Sequence, residues 1–404
     1  MNNSMKKRII IIVSIVVVLA IAGLTLGIII NHHNNKALKV GFYNLEKEIV
    51  EPIKSIIQKT YAGEIKFTDL SEQNYDVKKI SRKYDLFFSW NGNAVEQLEK
   101  YSAEISSDCS QKLISSIKTQ KNLPLLLNHY ELAYLTKARE RAEVDFPSDF
   151  EEYMAYLFAM KNQVFVPFFT EGKDDDTLLG LISVQAEALC GTEGYKKLVS
   201  LINKYGNFYQ VWEQEIGYSS TLGTSITLKY IMDGLAAYVP NDLSIANWTN
   251  ATAKDVKTYA SEKQIGVLFS SLSNHRKMDV KIMREYEADR MPVLSVKENH
   301  CLIAPAVCVV NLSAASKKEI AEEILQSLVS DENQSYLSDE TKLAPVNSRC
   351  RAFDVQADDV RYLAAIAPSG PAPDIANACF QTDMAKKTKF VEEIRKYLSG
   401  NTEK

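Results

Sequence analysis

Glycine is sparse in this chain, with 16 in 404 residues, and there are only three tryptophans and five histidines. No GxxxxGK[ST] loop is present and no GxGxxG follows the first strand-like segment, so no glycine-rich cradle for phosphate is written here. Three histidines lie beyond the N-terminal region, His129, His275 and His300, and none has the HExxH spacing of a metal site. There is no GxSxG elbow either. Nothing pairs a nucleophile with a base, so an enzyme is not expected, and neither a metal nor a cofactor. Charge of one sign is also lacking: 47 basic side chains face 51 acidic ones. A nucleic-acid surface needs Lys and Arg clustered on one face, and none is apparent. There is no internal repeat and no low-complexity tract. The six cysteines, at 109, 190, 301, 308, 350 and 379, fit no zinc pattern.

What is present begins with an apolar run. Lys6-Lys7-Arg8 precedes Ile9 to Ile30, broken only by Ser14, Gly23, Thr25 and Gly27. As a helix it would span about 33 Å, enough to cross a bilayer core of about 30 Å. It is longer than the apolar stretch of a cleavable signal peptide, and no small-x-small site follows it. The reading is a retained anchor at 9–30, a polar tether to residue 37, and the rest of the chain outside the cytoplasmic membrane, since the basic flank stays inside. Disulfides are possible in that compartment, though their pairing is not readable from spacing. Cys301 and Cys308 lie in an apolar run and read as small buried hydrophobes.

From residue 38 onward strand and helix patterns alternate. LKVGFY (38–43) reads as a strand. Residues 46–61 carry Ile49, Val50, Ile53, Ile56 and Ile57 at helical spacing, with Pro52 as a kink or a first turn. EIKFTDL (64–70) and YDLFFSW (84–90) are two further strands. LPLLLNHYELAYLT (123–136) suits one long crossing strand. A helix follows at 146–160, then strands at QVFVPFF (163–169), QIGVLFSSL (264–272) and CLIAPAVCVV (301–310). Ser316 and Glu319 have capping-box spacing for a helix over 315–334. Such alternation predicts α/β lobes with mostly parallel sheets flanked by helices. Ligands of such sheets bind beyond the carboxyl ends of the strands. Tyr43 and Trp90 both end strands, so each either faces a crevice or caps the core.

The side chains that carry recognition chemistry are aromatic: Tyr43, Trp90, Phe168-Phe169, Phe208-Tyr209, Trp212, Tyr218 and Trp248. Aromatic faces stack on sugar rings or over cations, while amides and carboxylates fix orientation. Glu171 closes a strand beside Phe169. Asp174-Asp175-Asp176 reads as a solvated loop or helix start before it reads as a cation site.

Order and texture from residue 38 to 350 resemble the extracellular solute-binding proteins of ABC importers, the group that includes maltose-binding protein. LNHYELAYLTKARERAEVDFPSDFEEYMAYL is similar to that family's hinge segment, and QVFVPFFTEG to the strand after it. DENQSYLSDETKLAPVNS is the most specific match. The sequence departs from the family at Ser270-Ser271-Leu272-Ser273, where a Gly-x-Trp is common, and in having no lipid-attachment cysteine. The resemblance implies two lobes joined by crossing strands, lobe 1 over 38–130 plus 300–345 and lobe 2 over 131–299 plus 346–404. It implies a ligand cleft lined by Tyr43, Trp90 and Asn91 from lobe 1 and by Phe169, Glu171, Trp212 and Tyr218 from lobe 2. The function expected is a membrane-anchored, monomeric receptor that closes on a small polar solute, a carbohydrate first, and passes it to importer permease subunits. The alternatives are a polyamine or other cation held by Glu171, Asp175 and aromatic faces, or a tethered scaffold that binds a protein.

Overall fold

The computed structural model describes residues 37–71, 73–117 and 119–400. The expected membrane helix at 9–30 lies outside them. No helix among the described residues is long and apolar enough to cross a membrane.

The strands in chain order are β1 (Leu38–Tyr43), β2 (Ile65–Asp69), β3 (Leu86–Trp90), β4 (Leu123–Leu127), β5 (Tyr130–Leu135), β6 (Val166–Thr170), β7 (Glu215–Ser219), β8 (Thr224–Thr227), β9 (Ile265–Ser271), β10 (Tyr286–Asp289), β11 (Leu302–Ile303), β12 (Ala306–Asn311), β13 (Ala344–Pro345) and β14 (Pro371–Ala372). Six form one sheet, in the order β13-β4-β12-β3-β1-β2, and four form another, β10-β5-β9-β6. Each sheet carries its own buried core. The first gathers Val40, Phe87, Leu125, Val309 and Leu325; the second gathers Tyr134, Phe168, Leu181, Leu268 and Ile394. The chain therefore has two α/β lobes.

The sheets are mixed, which corrects the expectation of mostly parallel ones. In the first, β2-β1 and β1-β3 are parallel, while β12 is antiparallel to both β3 and β4. In the second, β6-β9 is parallel, and β5 is antiparallel to both β9 and β10. The cause is the crossing itself. A strand that enters a lobe through the hinge starts at the cleft, whereas a strand that ends its unit there points towards it. β5 and β12 are entering strands, so each must run against its neighbours.

Among the described residues, three connections join the lobes. The run at 123–136 is two strands rather than one: β4 belongs to the first core, β5 to the second, and Asn128-His129 turns between them. The second crossing passes through β11 and Ala304-Pro305. The third runs from Ala367 in the first core to Ile375 in the second, through the Pro368–Pro373 loop. In it β14 pairs in parallel with β11. Residues 352–367, assigned above to lobe 2, pack in the first core through Ala352, Ala357, Val360 and Ala364. The expected long helix at 315–334 is also divided: helices span Lys318–Leu328 and Asp331–Thr341. The capping box at Ser316 does not form, and Ser330 instead caps the second helix through the Asn333 amide.

Behind the hinge a polar network ties the second lobe's exit to the first lobe. Arg276 makes a two-pronged ion pair with Asp354, and its Nη2 donates to Gln356 Oε1 at 3.0 Å. Gln356 Nε2 donates to Glu131 Oε2 at 2.6 Å, and Glu131 also meets His275 Nδ1. All six cysteines are unpaired. Cys301 and Cys308 are buried, as the apolar run containing them suggested.

Candidate ligand cleft

A cavity of about 480 Å³ opens between the lobes, where the carboxyl ends of β1, β3, β6 and β9 meet. Strand ends are where such sites form, because strand backbones stop there and the following loops present free polar groups. From lobe 1 come Asn44 and Glu46, just after β1, and Trp90, the last residue of β3. The crossings contribute Asn128, Tyr130 and Pro305. Lobe 2 adds Glu171 after β6, Asp174, Asp176 and Thr177 at the start of the helix Asp175–Tyr205, Ser271 at the end of β9, and Ser273, Asn274 and Lys277 after it. The end of the third crossing supplies Asp374, and the segment after it Asn377, Gln381 and Lys387.

Asp374 sits in the floor of this cleft and is 1% exposed. It accepts from the Tyr130 hydroxyl at 2.8 Å, from the Asn377 amide at 2.8 Å and from Asn377 Nδ2 at 3.1 Å. Burial pushes its pKa up to about 6, and the nearby Asp176 charge adds to the rise. The Tyr130 ring lies parallel to Phe269, 5.7 Å away. Gly180 permits this placement, since a Cβ there would stand 2.3 Å from the Tyr130 ring. Crowding by both lobes likewise raises the carboxyl pKa of Glu46 and of Glu171, mainly by desolvation. Asp176 is raised for the same reason, against an opposing ion pair with Lys387.

Gln381 fastens the cleft wall. Its Nε2 donates to Ser89 Oγ at 2.8 Å and to the Trp90 carbonyl at 2.9 Å, and its Oε1 accepts from the Ala94 amide at 3.0 Å. Its own carbonyl accepts from the Tyr43 hydroxyl and from Asn44 Nδ2. Gly92 belongs to the same contact. It has φ +140°, and a Cβ there would lie 2.3 Å from the Asn377 carbonyl oxygen. Gly92→Ala should therefore push this segment off lobe 1 and lower the melting temperature. A variant that melts with the parent would show that the contact yields.

Of the seven residues expected to line the cleft, Trp90 and Glu171 do so. Trp90 thus both packs in the core and lines the crevice, at 8% exposure. Tyr43 stands one layer behind, packed on Tyr75 and Phe87 with its hydroxyl on Gln381. Asn91 turns away from the cleft and uses Oδ1 to accept from the Ala306 amide at 2.8 Å. Phe169 is fully buried against Tyr259, because helices cover both faces of its sheet. Trp212 packs between Phe208 and Tyr397, next to the C-terminal helix Met384–Leu398. Tyr218 is exposed on the β7–β8 hairpin. Trp248 is buried edge-on to Phe168. Asp174 caps its helix through Thr177, and Asp175 pairs with Arg395 outside the cleft.

Sequence reasoning missed Asn44, Glu46, Asn128, Tyr130, Asp374, Asn377 and Gln381. Two had a signal. Asn128 interrupts an apolar run of two strands, and Asn44 immediately follows β1 in a left-handed conformation (φ 51°) that asparagine tolerates.

No family model and no curated protein matches the sequence. Solved structures do match. A binding protein of Bacillus subtilis subsp. subtilis in an open conformation superposes with a TM-score of 0.67 at 12% identity, covering 91% of this chain and 96% of that one. The bacterial solute receptor AcbH, described with an exclusive preference for β-D-galactopyranose, gives 0.64 at 13% identity, covering 91% and 94%. A sugar transporter protein of Bacillus licheniformis in complex with stachyose gives 0.61 at 12% identity, covering 90% and 99%. This chain shares the α/β fold of these proteins.

Proposed function

We propose that this chain is the solute receptor of an ABC importer, held at the extracytoplasmic face of the membrane by residues 9–30, and that its solute is a carbohydrate. The observation that carries this reading is the cleft. It has the size of a small-molecule site, roughly 300–1,000 Å³, and lies at strand ends between two lobes. Its wall combines Trp90 with amides and hydroxyls from Asn44, Asn128, Asn274, Ser271 and Ser273. Apolar sugar faces stack on rings, and their hydroxyls need donors and acceptors spread around the plane. The neighbours named above support the carbohydrate class. Lobe closure about the three crossings would exclude water from the bound solute.

The test is thermal unfolding of the full-length chain, in detergent, against a panel of mono- and oligosaccharides. A solute at one hundred times its Kd adds about 2.7 kcal/mol to stability, which is a shift of several degrees. Trp90→Ala should remove most of that shift, read against the variant's own unliganded melting temperature, which should itself fall because Trp90 is 8% exposed and packs in the first core. A panel that shifts nothing would sink the receptor reading and favour a tethered scaffold.

A further inference from the structure

We infer that the solute carries a protonated amine as well as hydroxyls, that is, an amino sugar or an oligosaccharide built from one. The inference rests on the receptor reading and adds the charge of the ligand. Five carboxylates line the cleft, from Glu46, Glu171, Asp174, Asp176 and Asp374, against the two ammonium groups of Lys277 and Lys387. The whole chain is nearly neutral, at a formal charge of −4, so this excess is concentrated at one place. Lys387 is committed to Asp176.

Asp374 is the decisive residue. It is buried in the cleft floor, and its hydrogen-bond partners, Tyr130 and Asn377, are both neutral. The other buried acids among the described residues each meet a basic side chain: Asp85 meets Lys317, Glu187 meets His300 and Glu131 meets His275. A buried carboxylate without a cation is costly, and like charges in one cavity raise that cost. A cation brought by the ligand would offset both. The carboxylates do not converge as metal ligands would: no group of three or more His, Cys, Asp or Glu side chains among the described residues is arranged to hold a metal ion. They are spread around a cavity of about 480 Å³ that also presents amides and hydroxyls. That distribution suits an extended ligand with a charge at one point and hydroxyls at others.

The experiment compares pairs that differ in charge: glucosamine against glucose, and a glucosamine tetramer against its N-acetylated form, by titration calorimetry on the full-length chain. Glucosamine compounds should bind at least tenfold more tightly than their neutral counterparts at pH 7. The advantage should shrink several-fold at pH 5, where the amine stays charged and Asp374, with a pKa of about 6, takes up its proton. Glu171→Gln should weaken the tetramer about tenfold; this side chain is only half-buried, so the variant does not depend on Asp374→Asn folding. Equal or tighter binding of the neutral partner overturns the amine while leaving the carbohydrate receptor standing. Spermidine binding with no amino sugar binding overturns the hydroxyl part. Failure of every saccharide, charged or neutral, removes the receptor reading together with the inference.

Discussion

Replacing Asp354 with alanine should destabilise the protein by about 3–5 kcal/mol, the range for stripping one partner from a buried ion pair. The Arg276 side chain is fully buried, and Asp354 is its counter-charge. Without it the guanidinium keeps one neutral acceptor, Gln356 Oε1, and the face of Phe353 at 5.3 Å. The same carboxylate caps the helix Val355–Ile366 through the Ala357 amide at 2.9 Å, and loss of such a cap costs about 1 kcal/mol by itself. Asp354 is about one-third exposed, so water can partly replace it and the lower end of the range is expected. Arg276→Met supplies the contrast. It removes the charge together with its need for a partner and should cost distinctly less. Chemical denaturation of the two variants decides: an Asp354→Ala loss no larger than that of Arg276→Met would mean the pair is not electrostatically buried.

The second large effect is expected at Gln381→Ala. The side chain carries three buried hydrogen bonds across the lobe boundary, to Ser89, the Trp90 carbonyl and the Ala94 amide. The Ala94 amide lies in the first turn of the helix Asn93–Leu98, whose own cap residue, Gly92, offers no side chain. Gln381 thus caps a helix of lobe 1 from the segment that follows the third crossing. Truncation leaves the Trp90 carbonyl and the Ala94 amide buried without partners, at about 1–3 kcal/mol each. Allowing for relaxation and water entry, a loss of about 2–4 kcal/mol follows, a fall in melting temperature of roughly 5–10 °C for lobes of this size. Solute affinity should fall with it, because Trp90 and Asn44 are positioned through the same residue. A fall under 2 °C would show that water already serves these groups.

Acid should act in the opposite direction at Asp374. Its pKa is about 6 in the folded chain, above the ordinary carboxylate value of 3.8. The folded state therefore binds the proton more readily, and this group's contribution to stability rises as pH falls from about 6 to about 4. Asp374→Asn should flatten that part of the stability–pH curve for the unliganded protein. An unchanged curve would mean that Asp374 titrates normally.

Local patterning determined much of this protein. The helical spacing of Ile49, Val50, Ile53, Ile56 and Ile57 forms the buried face of the helix Lys47–Thr60. LKVGFY, EIKFTDL and YDLFFSW are strands because their apolar runs are short and flanked by polar turns. That Trp90 and Glu171 line the cavity was legible since each stands at a strand end, and strand ends in α/β sheets face the crevice. Tertiary structure decided what spacing cannot carry. Phe169 is the penultimate residue of β6, yet helices on both sheet faces bury it. Trp212 lies in an equally suggestive stretch, but the C-terminal helix, some 180 residues later in the chain, covers it. Asp374, Asn377 and Gln381 reach the cleft only because a third crossing carries the chain back from the first lobe after residue 367. The direction of β5 and β12 has the same origin. A strand's pattern reports how its side chains are buried, while its direction and its neighbours depend on where the chain has come from.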